Sequence, residues 1–374
     1  MTGSDKDSRG KQVVRRMQTD FLIIGGGIAG ISAAARLSDL GSVVVLEAEQ
    51  NLAHHASGRS AALYEPHYGL PAVVELSLAS GDYLRGAKDV LSPRGMMIIA
   101  QADQSAAMAD ETKKFALEPI SITDARAMVP ILNPDIVKHV AWGEHAWDID
   151  TDLMLQGFAR QAKAGGAQII TGARVSAITR MSDCWQVISS AGEFQARMII
   201  NAAGAWADGI ARMAAVQPLG FQPMRRSMAR LPAPGGHDVS RWPMMFGVGE
   251  AWYAKPDAGA LIVSPAEEHP VDAHDAWADD MVLAEGLARY EEMMSEPVTR
   301  VLSNWAGLRT FSPDRVLVIG HDARDPGFFW LAGQGGYGFQ SAPAASQLAA
   351  DLIAGRGSDL SRDLLAALSP SRFT

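Results

Sequence analysis

The stretch TDFLIIGGGIAGISAAARLSDLGSVVVLEAE, residues 19–49, decides the fold. Phe21 to Ile24 reads as a short buried strand, Ile28 to Leu40 as a helix of small and apolar residues, and Val43 to Leu46 as a second strand. Between the first strand and the helix, Gly25, Gly27 and Gly30 form G-x-G-x-x-G, and Glu47 follows Gly27 by 20 residues. Such a glycine fingerprint is weak alone. After a strand, opening a helix and followed by an acid, it specifies a dinucleotide site. Gly25 permits the tight turn, Gly27 lets backbone N–H groups approach a pyrophosphate, and Gly30 lets helix and strand pack closely. The helix N-terminus supplies partial positive charge for phosphates. Glu47 suits ribose hydroxyls and repels a 2′-phosphate.

The fingerprint does not separate FAD from NAD, because both carry an ADP half. Later segments favour FAD. ARMIINAAGAWADGIARMAA is another strand, small-residue turn (Ala202-Ala203-Gly204) and helix. GFFWLAGQGGYGFQSAPAASQLAADLIAG gives a strand, a glycine loop with Gly333, Gly335, Gly336 and Gly338, and a helix whose N-terminus favours an anionic reduced ring. Three separated places of close backbone approach imply a long cofactor crossing a sheet.

The chain has 374 residues, room for about two domains. Apolar residues make up 48%, enough for a large core. With 33 basic and 42 acidic residues the net charge is −9, which argues against a nucleic-acid surface. A lone cysteine, Cys184, excludes an internal disulfide and a cysteine-rich metal site. It sits in SDCWQVISS, a hairpin, and reads as structural. Residues 1–16 are polar and basic and read as a disordered tail, with Met17 opening the folded part. Arg15-Arg16 resembles a twin-arginine export signal only superficially. No run reaches the ~20 apolar residues of a membrane span. A reducing compartment fits, so a cytoplasmic location is expected, free or peripheral to the inner membrane through a quinone acceptor.

The fingerprint, ASGRSAALY (56–64), IINAAGAWAD, WAGLRTFSPD and GGYGFQSAPA together resemble the D-amino-acid oxidase family of FAD oxidoreductases, and within it the bacterial D-arginine dehydrogenases. The likeness runs from about residue 19 to the C-terminus. It implies an α/β fold: a doubly wound, Rossmann-like FAD domain (17–80, 150–222 and 300–374) interleaved with an α+β substrate domain on a mixed sheet (81–149 and 223–299). GMMIIAQA, FGVGEAWYAKP and GALIVSPA read as strands of that sheet. By resemblance the FAD site takes in Gly25, Gly27, Ile28, Ala29, Gly30, Glu47, Ala48, Ser57, Gly58, Arg59, Ser60, Ala61, Val175, Ala203, Gly204 and Trp206. Gly333, Gln334, Gly335, Gly336, Tyr337, Gly338, Phe339 and Gln340 close it. Non-covalent FAD is favoured; a covalent link through His55 in the His54-His55 pair is the alternative.

The resemblance also implies a substrate site. Arg309 and Arg226 match arginines that hold an amino-acid carboxylate, Tyr253 a tyrosine that shares it, and the Gly336 carbonyl the acceptor of the substrate amine. A planar guanidinium grips a carboxylate through two parallel bonds and fixes Cα against flavin N5. Hydride then leaves Cα for the flavin, and the imine hydrolyses to a 2-oxo acid and ammonia. The bland reading of Arg309 is a salt bridge to Asp314 or another acid. Arg225 adjoins Arg226, so that only one of them need face inward, and Tyr253 could simply pack on Trp252.

The pattern departs from the arginine-specific enzymes. Met96 replaces their guanidinium-binding glutamate, Leu63 and Glu65 replace a histidine and a threonine, and Tyr68 is retained. With Met244 and Phe246, this wall favours an uncharged, bulky side chain on a D-amino acid. Glu65 is either a relocated carboxylate for a cation or a loop residue turned to water; the second is expected, as for most glutamates. The partners implied are an amino-acid or amine substrate and an oxygen or quinone acceptor. Rivals are a secondary-amine (N-methyl amino acid) oxidoreductase, a 2-hydroxy-acid oxidoreductase using a base such as His67, and a non-catalytic flavin-binding subunit. No metal ligand set is expected; there is no H-E-x-x-H, P-loop or G-x-S-x-G.

Overall fold

The computed structural model describes residues 16–373, so the expected tail lies, but for its last residue, outside the described residues. The opening fingerprint folds as its pattern demands. Strand Arg16–Ile24 leads into helix Ile28–Leu37, and strand Val43–Leu46 returns parallel to the first. Alternate strand residues feed two different cores. Ile23, Val43 and Val45 pack with the helix on one face, while Leu22, Ile24, Val44 and Leu46 pack on the other. Burial on both faces explains why these strands are uniformly apolar rather than alternating.

Two large sheets organise the molecule. The first has eight strands. Its parallel centre runs Gln168–Ile170, Val43–Leu46, Arg16–Ile24, Gly192–Asn201 and Phe328–Ala332. Ile24, Leu46 and Trp330 stand in register with Asn201 or one another, so the strands' C-terminal ends align along one edge. In open α/β sheets that edge is where ligands bind.

The second sheet has nine strands and is mixed. Met244–Gly247 runs parallel to Met96–Ala100, and the other pairings are antiparallel. The fold is therefore the mixed α/β arrangement expected. Strand Ser303–Phe311 belongs to this second sheet, pairing along strand Gln222–Pro232, although it falls within the 300–374 stretch expected in the FAD segments. FGVGEAWYAKP is not one strand. Met244–Gly247 and Tyr253–Asp257 pair antiparallel, joined by a turn over Val248–Glu250 in which Gly249 and Glu250 have φ of +74° and +54°. A third, three-stranded sheet joins Leu63–Tyr64, Trp147–Ile149 and Leu91–Pro93. Cys184 sits in the hairpin before strand Trp185–Ser189. No helix among the described residues is long and apolar enough to cross a membrane.

Candidate active site

A cavity of about 460 Å³ runs from the fingerprint turn to the inner face of the mixed sheet. At its first end Gly25 has φ +115°, and a Cβ there would stand 2.3 Å from the Ala202 carbonyl oxygen. Gly30 packs onto the Gly25 carbonyl, where a Cβ would come within 1.9 Å. Glu47 is pinned at the end of its strand: Oε2 accepts the Gly26 N–H at 2.7 Å and Oε1 the Glu49 N–H at 2.8 Å. Each oxygen keeps a further lone pair for a ribose hydroxyl. Ser57 Oγ accepts the Ile28 N–H at 3.0 Å. Gly204, at φ +54°, has no atom within 4 Å of where a Cβ would project. An acid beside an apolar, glycine-lined trough fits the ADP half of FAD.

Of the residues expected at the cofactor, Gly25, Gly27, Ile28, Ala29, Glu47, Ala48, Ser57, Arg59, Ser60, Ala61, Val175, Ala203, Gly204 and Trp206 line the cavity. So do Gln334, Gly335, Gly336, Gly338, Phe339 and Gln340. Gly30, Gly58, Gly333 and Tyr337 do not, and their contacts explain why. Gly30 and Gly58 sit against backbone carbonyls of Gly25 and Ala53, Gly333 against the Phe221 ring, and Tyr337 packs its ring 5.3 Å from that of Tyr68. Arg59 is held by the Ala276 and Ala306 carbonyls and by Asp275. His55 lines the cavity, with Nε2 3.3 Å from Glu49 Oε1 and its ring 4.6 Å from Trp206. Burial holds the His55 imidazole below its usual pKa.

At the other end, all ten residues expected around the substrate line the cavity: Arg226, Tyr253, Arg309, Gly336, Tyr68, Leu63, Glu65, Met96, Met244 and Phe246. Neighbouring strands deliver the arginines. Arg226 stands on Gln222–Pro232 and Arg309 on Ser303–Phe311. Arg226 is 3% exposed and faces the cavity; Arg225, one residue away, turns to Asp279 at 3.3 Å. Asp314 pairs with Arg372 rather than Arg309. Gly336 is glycine for a steric reason: a Cβ there would meet the Arg309 Cζ at 2.9 Å.

Two acids missed by sequence reasoning complete this end. Arg226 donates from Nη1 to Glu250 Oε1 and from Nη2 to Glu268 Oε1, each at 3.1 Å. Arg309 Nη1 lies 3.8 Å from each of those oxygens and donates to Tyr68 Oη at 3.2 Å. Tyr68 donates in turn to Glu250 Oε1 at 2.6 Å. Burial works against the Glu250 charge, yet Arg226 and Arg309 outweigh it and hold the carboxyl below its ordinary range. Burial raises the Tyr68 hydroxyl, which therefore keeps its proton and acts as donor. Tyr253 Oη and Arg226 Nε are buried without a hydrogen-bond partner. The only hint in the sequence was chemical: two arginines beside one cavity require acids somewhere near.

Glu65 corrects its expectation. It is 2% exposed and lines the cavity rather than pointing to water. Burial raises its pKa against the opposing pull of the His67 N–H and His145. His67 does not line the cavity; its Nδ1 lies 2.9 Å from Glu65 Oε1.

A doubly wound sheet with a fingerprint at its C-terminal edge, roofed by a mixed sheet that carries the second half of the cavity, defines an FAD-dependent oxidoreductase. The chain belongs to the FAD dependent oxidoreductase (DAO) family, whose model matches residues 20–352. It is 24% identical to FAD-dependent oxidoreductase domain-containing protein 1 of Bos taurus, over 90% of this chain and 81% of that one. It is 25% identical to the tRNA 5-methylaminomethyl-2-thiouridine biosynthesis bifunctional protein MnmC of Burkholderia ambifaria, over 95% of this chain but only 59% of that protein's length. Among solved structures, L-proline dehydrogenase from P. horikoshii superposes with a TM-score of 0.81 at 20% identity, covering 96% of this chain and 98% of that one.

Proposed function

We propose that this enzyme oxidises the Cα–N bond of an amino acid whose carboxylate is held by Arg226, Arg309 and Tyr253. The observation that carries this reading is the unpartnered Tyr253 hydroxyl, buried at the cavity wall with the Arg226 guanidinium 5.8 Å from its ring centre. An orphaned buried donor costs about 1–3 kcal/mol. A carboxylate placed between Tyr253 and the two arginines would satisfy it through charge-assisted bonds. Glu250 already accepts from Arg226, so a substrate carboxylate would compete with it.

FAD supplies the acceptor for the hydride that leaves Cα. The chain's own residues position the substrate and shape the field around it. Arg226 and Arg309 fix the carboxylate, Gly336 presents its carbonyl to the amine, and Leu63, Met96, Met244 and Phe246 enclose the side chain. The amine reacts in its neutral form: its lone pair forms the C=N bond as the hydride departs, and the resulting iminium gives its extra proton to water. Water then converts the imine to a 2-oxo acid and ammonia. The apolar wall supports an uncharged, bulky side chain, and the resemblance to D-arginine dehydrogenases supports the D-configuration, without their guanidinium-binding glutamate. The likeness to proteins named for methylaminomethyl and proline chemistry supports a second reading, in which the amine is secondary. His67 turned towards Glu65 argues against the 2-hydroxy-acid reading. We propose the FAD and substrate segments at the boundaries given above and a reoxidant of the oxygen or quinone class.

The test is anaerobic bleaching of the yellow flavin across D- and L-amino acids, N-methyl amino acids and 2-hydroxy acids. D-Met, D-Leu and D-Phe or their N-methyl forms are expected to bleach it fastest. Bleaching by 2-hydroxy acids alone, or by D-Arg and D-Lys far ahead of the apolar set, would overturn the reading.

A further inference from the structure

Behind the cavity wall, two histidines that the proposed reaction does not use converge on Glu65. Glu65 Oε1 accepts the His67 backbone N–H at 2.9 Å and lies 2.9 Å from His67 Nδ1. Its other oxygen, Oε2, lies 3.3 Å from His145 Nε2. That approach makes no hydrogen bond, and both atoms are buried without a partner. One ligand atom from each of the three residues lies within 4.8 Å of the others. Among the described residues, no lysine or arginine pairs with Glu65; its only ion-pair contacts are the two histidines.

A buried carboxylate needs a cation or a full set of donors. Two imidazoles and one carboxylate aimed at a common point are the donor set of zinc-class ions. Bonds of about 2.0–2.1 Å in tetrahedral geometry separate ligand atoms by roughly 3.3 Å. The 3.3 Å between Glu65 Oε2 and His145 Nε2 equals this spacing, and His67 Nδ1 lies 2.9 Å from the other carboxylate oxygen, Oε1. The His67 and His145 side chains are 37% and 28% exposed, which leaves an ion a route from solvent. The other acid–histidine group, Glu49 with His54 and His55, is a poorer site. Arg174 already neutralises Glu49 at 3.0 Å, and Asp275 draws both imidazoles outward at 3.7 Å.

We propose that Glu65, His67 and His145 form a binding site for a divalent transition-metal ion of the zinc class. The ion would cross-link two loops that emerge side by side from one antiparallel strand pair, Leu63–Tyr64 with Trp147–Ile149. One, carrying Glu65, His67 and Tyr68, lies between strand Leu63–Tyr64 and helix Pro71–Ala79. The other, carrying His145, lies between strands His139–Gly143 and Trp147–Ile149. Because Tyr68 follows His67 directly and donates to Glu250, the ion would steady the donor at the substrate end of the cavity. This inference does not depend on which amine is oxidised.

The test is a Zn²⁺ titration of the flavin-loaded, chelator-stripped enzyme against a chromophoric chelator, with a parallel Co²⁺ titration read by visible absorption. Wild type is expected to bind about one equivalent. His67→Ala and His145→Ala, checked for retained flavin, are expected to bind at least about 100-fold more weakly, and His55→Ala as wild type. Absence of stoichiometric binding, equal affinity in wild type and in His67→Ala, or loss of binding in His55→Ala instead, would overturn the proposal. If His145→Ala fails to retain flavin, the partly exposed His67→Ala carries the decision.

Discussion

The Glu250 carboxylate accepts from the Arg226 guanidinium at 3.1 Å, so an arginine expected to hold a substrate is already held by the protein. Glu250 reaches this position from a turn with φ +54°, a left-handed conformation costing of order 1 kcal/mol for a non-glycine residue. The strain is tolerated because the carboxylate is drawn in by Arg226, Arg309 and the Tyr68 hydroxyl. In the proposed reaction this internal anion competes with the substrate carboxylate.

Glu250→Gln removes that competition while keeping the side chain's shape. The Michaelis constant of a carboxylate substrate is expected to fall by roughly tenfold, the equivalent of about 1.4 kcal/mol, with bound flavin unchanged. Steady-state kinetics of the two proteins side by side checks this. An increase would mean that Glu250 assists substrate binding.

Gly336→Ala tests the close approach of the glycine loop to Arg309. The added methyl would meet the guanidinium carbon at 2.9 Å, and no alternative exists in which both keep their places. Misplacing a positioning group by about 1 Å costs of order 10²-fold in rate. We expect a loss of that size in kcat/KM with the flavin spectrum intact; wild-type kinetics would show that Arg309 moves freely.

How much of this was legible in the sequence follows from how local each constraint is. The fingerprint turn was readable because Gly25, Gly30 and Glu47 are dictated by backbone contacts within one strand–helix–strand unit. Arg226 and Arg309 were readable through resemblance to a family. Glu250 was not, because it lies in a run that reads as one strand and its turn is set by the pairing of Phe246 with Tyr253. Glu65 was expected in water because a single sequence does not reveal that His145, 80 positions away, faces it. That Ser303–Phe311 pairs into the mixed sheet was not readable, because its partner strand begins about 80 residues earlier.

A further expectation concerns acid stability. Burial opposes the Asp314 charge, but Arg372, Ser312 and the Val316 N–H prevail and hold the carboxyl below the usual aspartate range. A carboxyl with a lower pKa folded than unfolded stabilises the fold above its unfolded value and stops doing so as pH falls through the folded one. Arg372→Ala is therefore expected to lower the melting temperature at pH 7 by a few degrees at most, as for a partly exposed pair. The gap to wild type should close as pH falls from about 5 towards about 3. Melting curves across that range check it; a gap that widens would contradict the assignment.

The central claim is that Arg309 grips the substrate's carboxylate, and Arg309→Ala tests it most directly. With flavin retained, the kcat/KM of anaerobic flavin reduction by the best amino-acid substrate should fall by roughly 10²-fold or more, reflecting the ~2–5 kcal/mol cost of orphaning a charged partner. Reduction at the wild-type rate and concentration dependence in a folded, yellow variant would contradict it.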